Sequence, residues 1–164
     1  MQAERSLREC TQTSGLLILL TQGYPYGYTE PFVDNEVPYL AKTFENVVIA
    51  TEGAPSDSIR PLPANVKVVH LQERLDWSSL FDGAMLKEGF KALQKHPACL
   101  KVATRSWLRS NGYARQLTFI LAQSGYTAKD TVIYAYWMSD LAIGATRIAQ
   151  KLRLPAVSRA HGWD

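Results

Sequence analysis

Cysteine is scarce: Cys10 and Cys99 are the two in 164 residues, and neither has a partner at metal-ligand spacing. That excludes a disulfide framework or a Cys/His zinc site and leaves two free cytosolic thiols as the expectation. Long apolar runs are missing as well. Leu16–Leu20 is far shorter than the ~20 residues needed to cross a bilayer. It also lies behind Arg5, Arg8 and Glu9, which is unlike a signal peptide. Strong charge of one sign is absent, with 18 Lys+Arg against 15 Asp+Glu. A net charge of +3 permits an anionic ligand but falls short of a nucleic-acid binder, so no nucleic acid is expected. There is no internal repeat, low-complexity tract, dinucleotide fingerprint, lysine-serine phosphate loop or nucleophile elbow, and no metal is expected. The apolar fraction of 46% and charged fraction of 20% are those of a globular protein with a real core. The expected compartment is the cytoplasm, with peripheral contact at the inner face of the membrane allowed.

What is present alternates between two periodicities. Residues 1–13 are polar and read as a flexible leader. Gly15–Thr21 runs apolar without alternation, the pattern of a strand covered on both faces and hence of a parallel sheet. Gln22–Thr29 is a loop rich in glycine and tyrosine. Glu30-Pro31 then opens a helix, with the acid favouring the positive end of its dipole. Phe32, Val33, Glu36, Val37, Leu40 and Ala41 carry the helical period toward Phe44, and Pro38 is expected to kink it. Val47–Thr51 and Val66–Leu71 read as the second and third strands, joined by the proline-bearing loop Glu52–Asn65. Asp76 or Ser78 caps a helix over 78–95, ended near His96-Pro97. A longer helix runs from Leu100 to Gln123 and closes at Ser124-Gly125. Thr131–Tyr136 is the fourth strand, Ser139 caps a helix to Leu152, and Ala156–Ala160 is a buried fifth strand. Strands alternating with helices predict an α/β doubly wound, Rossmann-like parallel sheet of order 3-2-1-4-5 over residues 14–164.

Four places are candidates for chemistry. The first is Gln22–Thr29, where free N–H groups at a helix start attract phosphate and Gly23 and Gly27 allow close approach; the alternative is an ordinary surface loop. The second is His161-Gly162, beyond a strand's carboxyl end, where a histidine hydrogen-bonds an anion or sugar or moves a proton. A structural histidine is its rival. Arg159 points the same way along the strand and either meets an anion or pairs with a carboxylate. The third is Tyr134-Ala135-Tyr136-Trp137-Met138-Ser139-Asp140, either an aromatic wall for a sugar or acceptor or core packing with a cap. The fourth is a basic stripe, Lys87, Lys91 and Lys95, then Lys101, Arg105 and Arg109. Beside Trp77, Phe81, Trp107 and Leu108 it suits anionic headgroups or is a solvated face.

Three blocks together resemble one family. Leu16–Leu20 with Pro25-Tyr26-Gly27-Tyr28-Thr29-Glu30-Pro31-Phe32 and Glu36-Val37-Pro38-Tyr39-Leu40 is similar to the opening of family 4 glycosyltransferases of the GT-B fold. Tyr134-Ala135-Tyr136-Trp137 and Ser158-Arg159-Ala160-His161-Gly162-Trp163-Asp164 resemble two later blocks of the same amino-terminal domain. The resemblance implies the acceptor-side half of an enzyme in polysaccharide biosynthesis. That enzyme moves a sugar from a nucleotide-sugar donor to a glycan or lipid-linked acceptor, with retention and without metal. It places His161 at the reacting centre as catalytic residue and Gly23, Tyr26, Gly27 and Thr29 against the donor phosphates and sugar. Tyr136, Trp137 and Arg159 fall to the acceptor. The donor-binding half and the last elements of the acceptor half are not in this sequence, so this chain is expected to be inactive alone. The other functional classes are a standalone Rossmann-like or flavodoxin-like ligand module, a nucleotide-sugar epimerase of the same two-domain fold, and an inert scaffold.

Overall fold

A computed structural model describes residues 13–55, 58–81, 83 and 100–160. Its element order is β1 (Thr13–Thr21), α1 (Pro31–Thr43), β2 (Phe44–Thr51), β3 (Val66–His70), a 3-10 turn (Trp77–Phe81), α2 (Leu100–Ser124), β4 (Thr131–Ala135), α3 (Asp140–Leu152) and β5 (Ala156–Ser158). The five strands form one parallel sheet in the order β3-β2-β1-β4-β5. This is the expected α/β Rossmann-like arrangement.

β1 sits at the centre, paired on one side with β2 and on the other with β4. Its unalternating sequence follows from that position. Leu16, Ile18 and Leu20 pack on one face with Leu117, Leu121 and Ile148 of α2 and α3. Leu17 and Leu19 pack on the other with Val33, Val37 and Ala41 of α1. Successive side chains of a strand point to opposite faces, so a strand between two helical layers is apolar at every position.

Two glycines bring segments closer than any side chain would allow. A Cβ on Gly112 would stand 1.9 Å from the carbonyl oxygen of Arg74, so the chain leaving β3 lies directly on α2. A Cβ on Gly144 would stand 2.7 Å from the carbonyl oxygen of Ser110, which sets the close approach of α3 to α2.

Several boundaries and environments differ from the sequence reading. β1 begins at Thr13, paired with Phe44, because the ladder with β2 takes in a residue the composition assigned to the leader. α1 remains one helix through Pro38, whose ring lies on its exposed side. Ser139 occupies the N-cap position of α3 but makes no side-chain cap; its carbonyl accepts from Ile143 instead. β5 ends at Ser158 and is exposed along its length, not buried, because among the described residues it pairs only with β4, at the sheet's edge. Between Phe81 and Leu100 most residues of the expected helix over 78–95, with Lys87, Lys91, Lys95 and Cys99, lie outside the described residues, as does Cys10. No described helix is long and apolar enough to cross a membrane.

Candidate functional site

The strand order reverses between β1 and β4, and ligands of open α/β sheets bind beyond the carboxyl ends of such strands. The segments that leave β1 and β4 there are Gln22–Thr29 and Tyr136–Ser139. The structure brings them together through one side chain. Glu30 is 8% exposed and turns away from its own helix, with backbone φ 52° in the left-handed region. Its Oε2 accepts the N–H groups of Gly23 and Tyr24, each at 2.7 Å, and its Oε1 accepts that of Gln22 at 3.2 Å. The indole N–H of Trp137 donates to the same Oε1. Four donors match the four lone-pair sites of a carboxylate.

This changes the part of the glycine loop. Sequence reasoning offered its N–H groups to an external anion and Glu30 to a helix dipole; in the fold the carboxylate and the N–H groups of Gln22, Gly23 and Tyr24 find each other. The N–H of Gly27 is likewise used, donating to the carbonyl of Ser58 at 3.1 Å. What the loop keeps is its shape. Gly27 has φ 61°, where a side chain is strained, and a Cβ on Gly23 would fall 2.3 Å from Oγ1 of Thr29. Tyr26 forms an antiparallel bridge with Ile59.

The second holder of this loop is Arg60, which nothing in the sequence singles out. Its guanidinium donates to the carbonyls of Gly27 (2.9 Å) and Thr29 (2.7 Å) and pairs with Asp34 at 2.7 Å. It also lies 5.3 Å over the ring of Tyr24. Burial pushes the Tyr24 phenol above its ordinary range, with Asp34 acting in the same direction. Arg60 sits in an irregular stretch before Pro61, so no periodicity marks it.

Tyr136, Trp137 and Arg159 are gathered on the α1 side of the same edge. The rings of Tyr136 and Trp137 meet edge to face at 5.7 Å, and Phe32 of α1 lies parallel to Tyr136 at 6.5 Å. Arg159 donates to Glu36 at 2.6 Å and to the hydroxyl of Tyr136 at 3.3 Å. Its guanidinium carbon stands 5.4 Å from the centre of that ring. The hydroxyl of Tyr134 donates to the other oxygen of Glu36 at 3.3 Å. Burial, then the charge of Glu36, raises the pKa of both Tyr134 and Tyr136. Phe32 and Glu36 therefore join Tyr134, already part of the aromatic candidate; the α1 stripe contained both but gave neither a part in chemistry. His161 lies outside the described residues.

Across the sheet, on the side of α2 and α3, a second polar cluster surrounds Arg109. It pairs with Glu73 at 3.2 Å, Asp140 at 3.4 Å and Glu52 at 3.5 Å. Tyr113 donates to Glu52, and Ser106 to Asp140. Arg109 is thus an internal counter-ion and not part of an exposed basic stripe. Trp107 is covered by the guanidinium of Arg147, 3.7 Å from its ring centre, and Leu108 is buried. Trp77, Phe81, Lys101 and Arg105 are exposed as expected.

The fold and edge define the class: a doubly wound α/β domain with a pre-shaped loop and an aromatic, charged wall at its topological switch point. Comparisons with protein-family models, curated proteins and solved structures give no match.

Proposed function

We propose that this domain is the acceptor side of a retaining glycosyltransferase, working with a donor-binding α/β half on nucleotide-sugars and a glycan or lipid-linked acceptor. The observation that carries this reading is the bond from Trp137 to Glu30 beneath Gly23 and Tyr24. It joins two of the three sequence blocks that resemble family 4 glycosyltransferases into one wall at the switch point. Gly23, Tyr26, Gly27 and Thr29 would fit the donor sugar by shape and close approach, since the Gly23 and Gly27 N–H groups are already bonded. Tyr136 is 1% exposed, so it acts from behind, bracing Arg159 and Trp137, which would orient the acceptor and lower the entropy cost of bringing two sugars together. His161, two residues past Arg159, would hydrogen-bond the sugar near the anomeric carbon. Exposed Trp77, Phe81 and Lys101 suit contact with an anionic membrane surface, beside Arg105, which is exposed but pairs with Glu73 at 3.3 Å.

The test is calorimetric titration of this chain with nucleotides, nucleotide-sugars and flavins, followed by transfer assays with the donor half present. Weak or absent nucleotide binding by this chain alone, and a fall in turnover of about 100-fold or more for His161→Ala, support the reading. Tight binding of a nucleotide or flavin by this chain alone overturns it in favour of a standalone module.

A further inference from the structure

We infer that Phe32, Glu36 and Arg159 form a subsite for a neutral hexose presenting two adjacent hydroxyls. The inference rests on the acceptor reading above and names the chemistry of its sugar. Three observations support it.

The first is the polar pair. Glu36 and Arg159 are joined at 2.6 Å, yet their side chains remain 33% and 48% exposed, so both heads reach solvent at the rim of the wall. A carboxylate only accepts hydrogen bonds and a guanidinium only donates them. Side by side they match a vicinal diol, one hydroxyl donating to Glu36 while its neighbour accepts from Arg159. The pair is braced from below, Glu36 by the hydroxyl of Tyr134 and Arg159 by that of Tyr136, so its geometry exists before a ligand arrives.

The second is the apolar neighbour. Phe32 is 53% exposed although it lies in the first turn of a helix whose Val33 and Val37 are fully buried. Its ring lies within 5° of parallel to that of Tyr136, which fixes the plane it offers. Glu36 follows Phe32 by four residues on the same helical face, so the ring and the pair stand side by side. Aromatic surface beside a few fixed polar groups is the common makeup of a small-ligand site.

The third is charge. Arg159 already has a carboxylate bonded to it. A uronate or sugar phosphate placed on Arg159 would bring a second negative charge against Glu36, and like charges at that range repel. The subsite therefore selects a neutral sugar. It is continuous with the glycine loop through Tyr136, Trp137 and Glu30.

The experiment is saturation-transfer NMR on this chain at physiological salt, with methyl glucoside, methyl galactoside, methyl glucuronide and glucose 1-phosphate as probes. At least one neutral glycoside is expected to bind, with the two anionic probes weaker by about tenfold. Phe32→Ala should abolish the signal, and Phe32→Leu, which keeps an apolar residue on the helix, should weaken it. Glu36→Gln should retain the neutral sugar and bring the glucuronide to comparable affinity, because the repelling charge is gone. Circular dichroism of each variant confirms folding. Equal binding of neutral and anionic probes to the unaltered chain, neutral binding indifferent to both Phe32 variants, or no binding of any neutral glycoside overturns the inference. Glycoside binding without transfer by the assembled enzyme would overturn the glycosyltransferase reading and leave the subsite standing; transfer without glycoside binding would do the reverse.

Discussion

Glu30 and Arg60 hold one loop by opposite halves of its backbone: Glu30 takes the N–H groups of Gln22, Gly23 and Tyr24, and Arg60 takes the carbonyls of Gly27 and Thr29. An anion and a cation, neither touching the other in these contacts, fix the amino and carboxyl ends of the same turn. A loop held this way is a platform, not a lid.

Replacing Glu30 tests the first half of the grip. Glu30→Gln puts an amide NH2 where one carboxylate oxygen accepts N–H groups, leaving donor facing donor in a buried place. The expected loss is about 1–3 kcal/mol of stability by urea denaturation. Amide exchange at Gln22–Tyr24 should accelerate, and the indole signal of Trp137 should shift. Unaltered exchange at these amides would show that the loop does not depend on Glu30.

Arg60→Ala removes two carbonyl bonds and the pair with Asp34 from a side chain that is 13% exposed. A loss of about 2 kcal/mol is expected, read as a lower melting temperature. Arg60→Lys should recover little of it. One ammonium on a flexible stem does not reproduce a planar fork that reaches two carbonyls and a carboxylate at once. Full recovery by lysine would mean that charge alone matters here.

Gly112→Ala and Gly53→Ala differ in what the new methyl group meets. At Gly112 it lands 1.9 Å from a backbone carbonyl of the segment leaving β3, so α2 and that segment must separate. A loss of about 3 kcal/mol or more, or failure to fold, is expected from overpacking against backbone. At Gly53 the nearest atoms are the Cα and carbonyl oxygen of Gly23, each 2.8 Å away. That change should leave most of the fold in place and disturb the glycine loop, seen as backbone shifts at 22–24 in NMR. Wild-type stability in Gly112→Ala would contradict the packing described.

Tyr113 gives a prediction in alkaline solution. Burial, and then the bond to Glu52, pushes its phenol up to about 12, above the usual 10.0. The folded state therefore holds this proton more tightly than the unfolded chain. Its contribution to stability is complete below pH 10 and is lost as the pH rises toward 12. Tyr113→Phe should flatten that part of the pH–stability curve while lowering stability at neutral pH, because Glu52 and Arg109 each lose a partner. An unchanged alkaline slope in the variant would place the titration elsewhere.

The layered fold was legible because it is written in periodicity. Leu16–Leu20 is apolar without a break because β1 lies between two helical layers, and the stripe Leu141, Ala142, Ala145, Ile148 and Ala149 faces the sheet from one of them. The close pairing of Tyr136 and Arg159 was half legible, since both sit just past strand ends that the order 3-2-1-4-5 makes neighbours. Their link through Glu36 was hidden, because a glutamate on an amphipathic helix looks like any solvated position. Arg60, Glu52 and Glu73 were not legible at all. They act across loops, where neither the helical nor the strand period constrains what meets what. Arg109 was misread for the same reason: spacing of four with Lys101 and Arg105 places it on a face but says nothing of the three carboxylates brought to it.

The close approach of Gly53 to Gly23, with the backbone bonds from Gly27 to Ser58 and from Arg60 to Pro25, makes the turns after β1 and β2 mechanically one piece. Neither can swing without carrying the other, and Arg60 pins both to α1. The entropy of ordering this rim is then lost once, when the chain folds, and not again at each encounter with a ligand. A molecule that fits the rim would be captured at a rate set by diffusion and orientation, and one that does not fit would find no softer shape waiting.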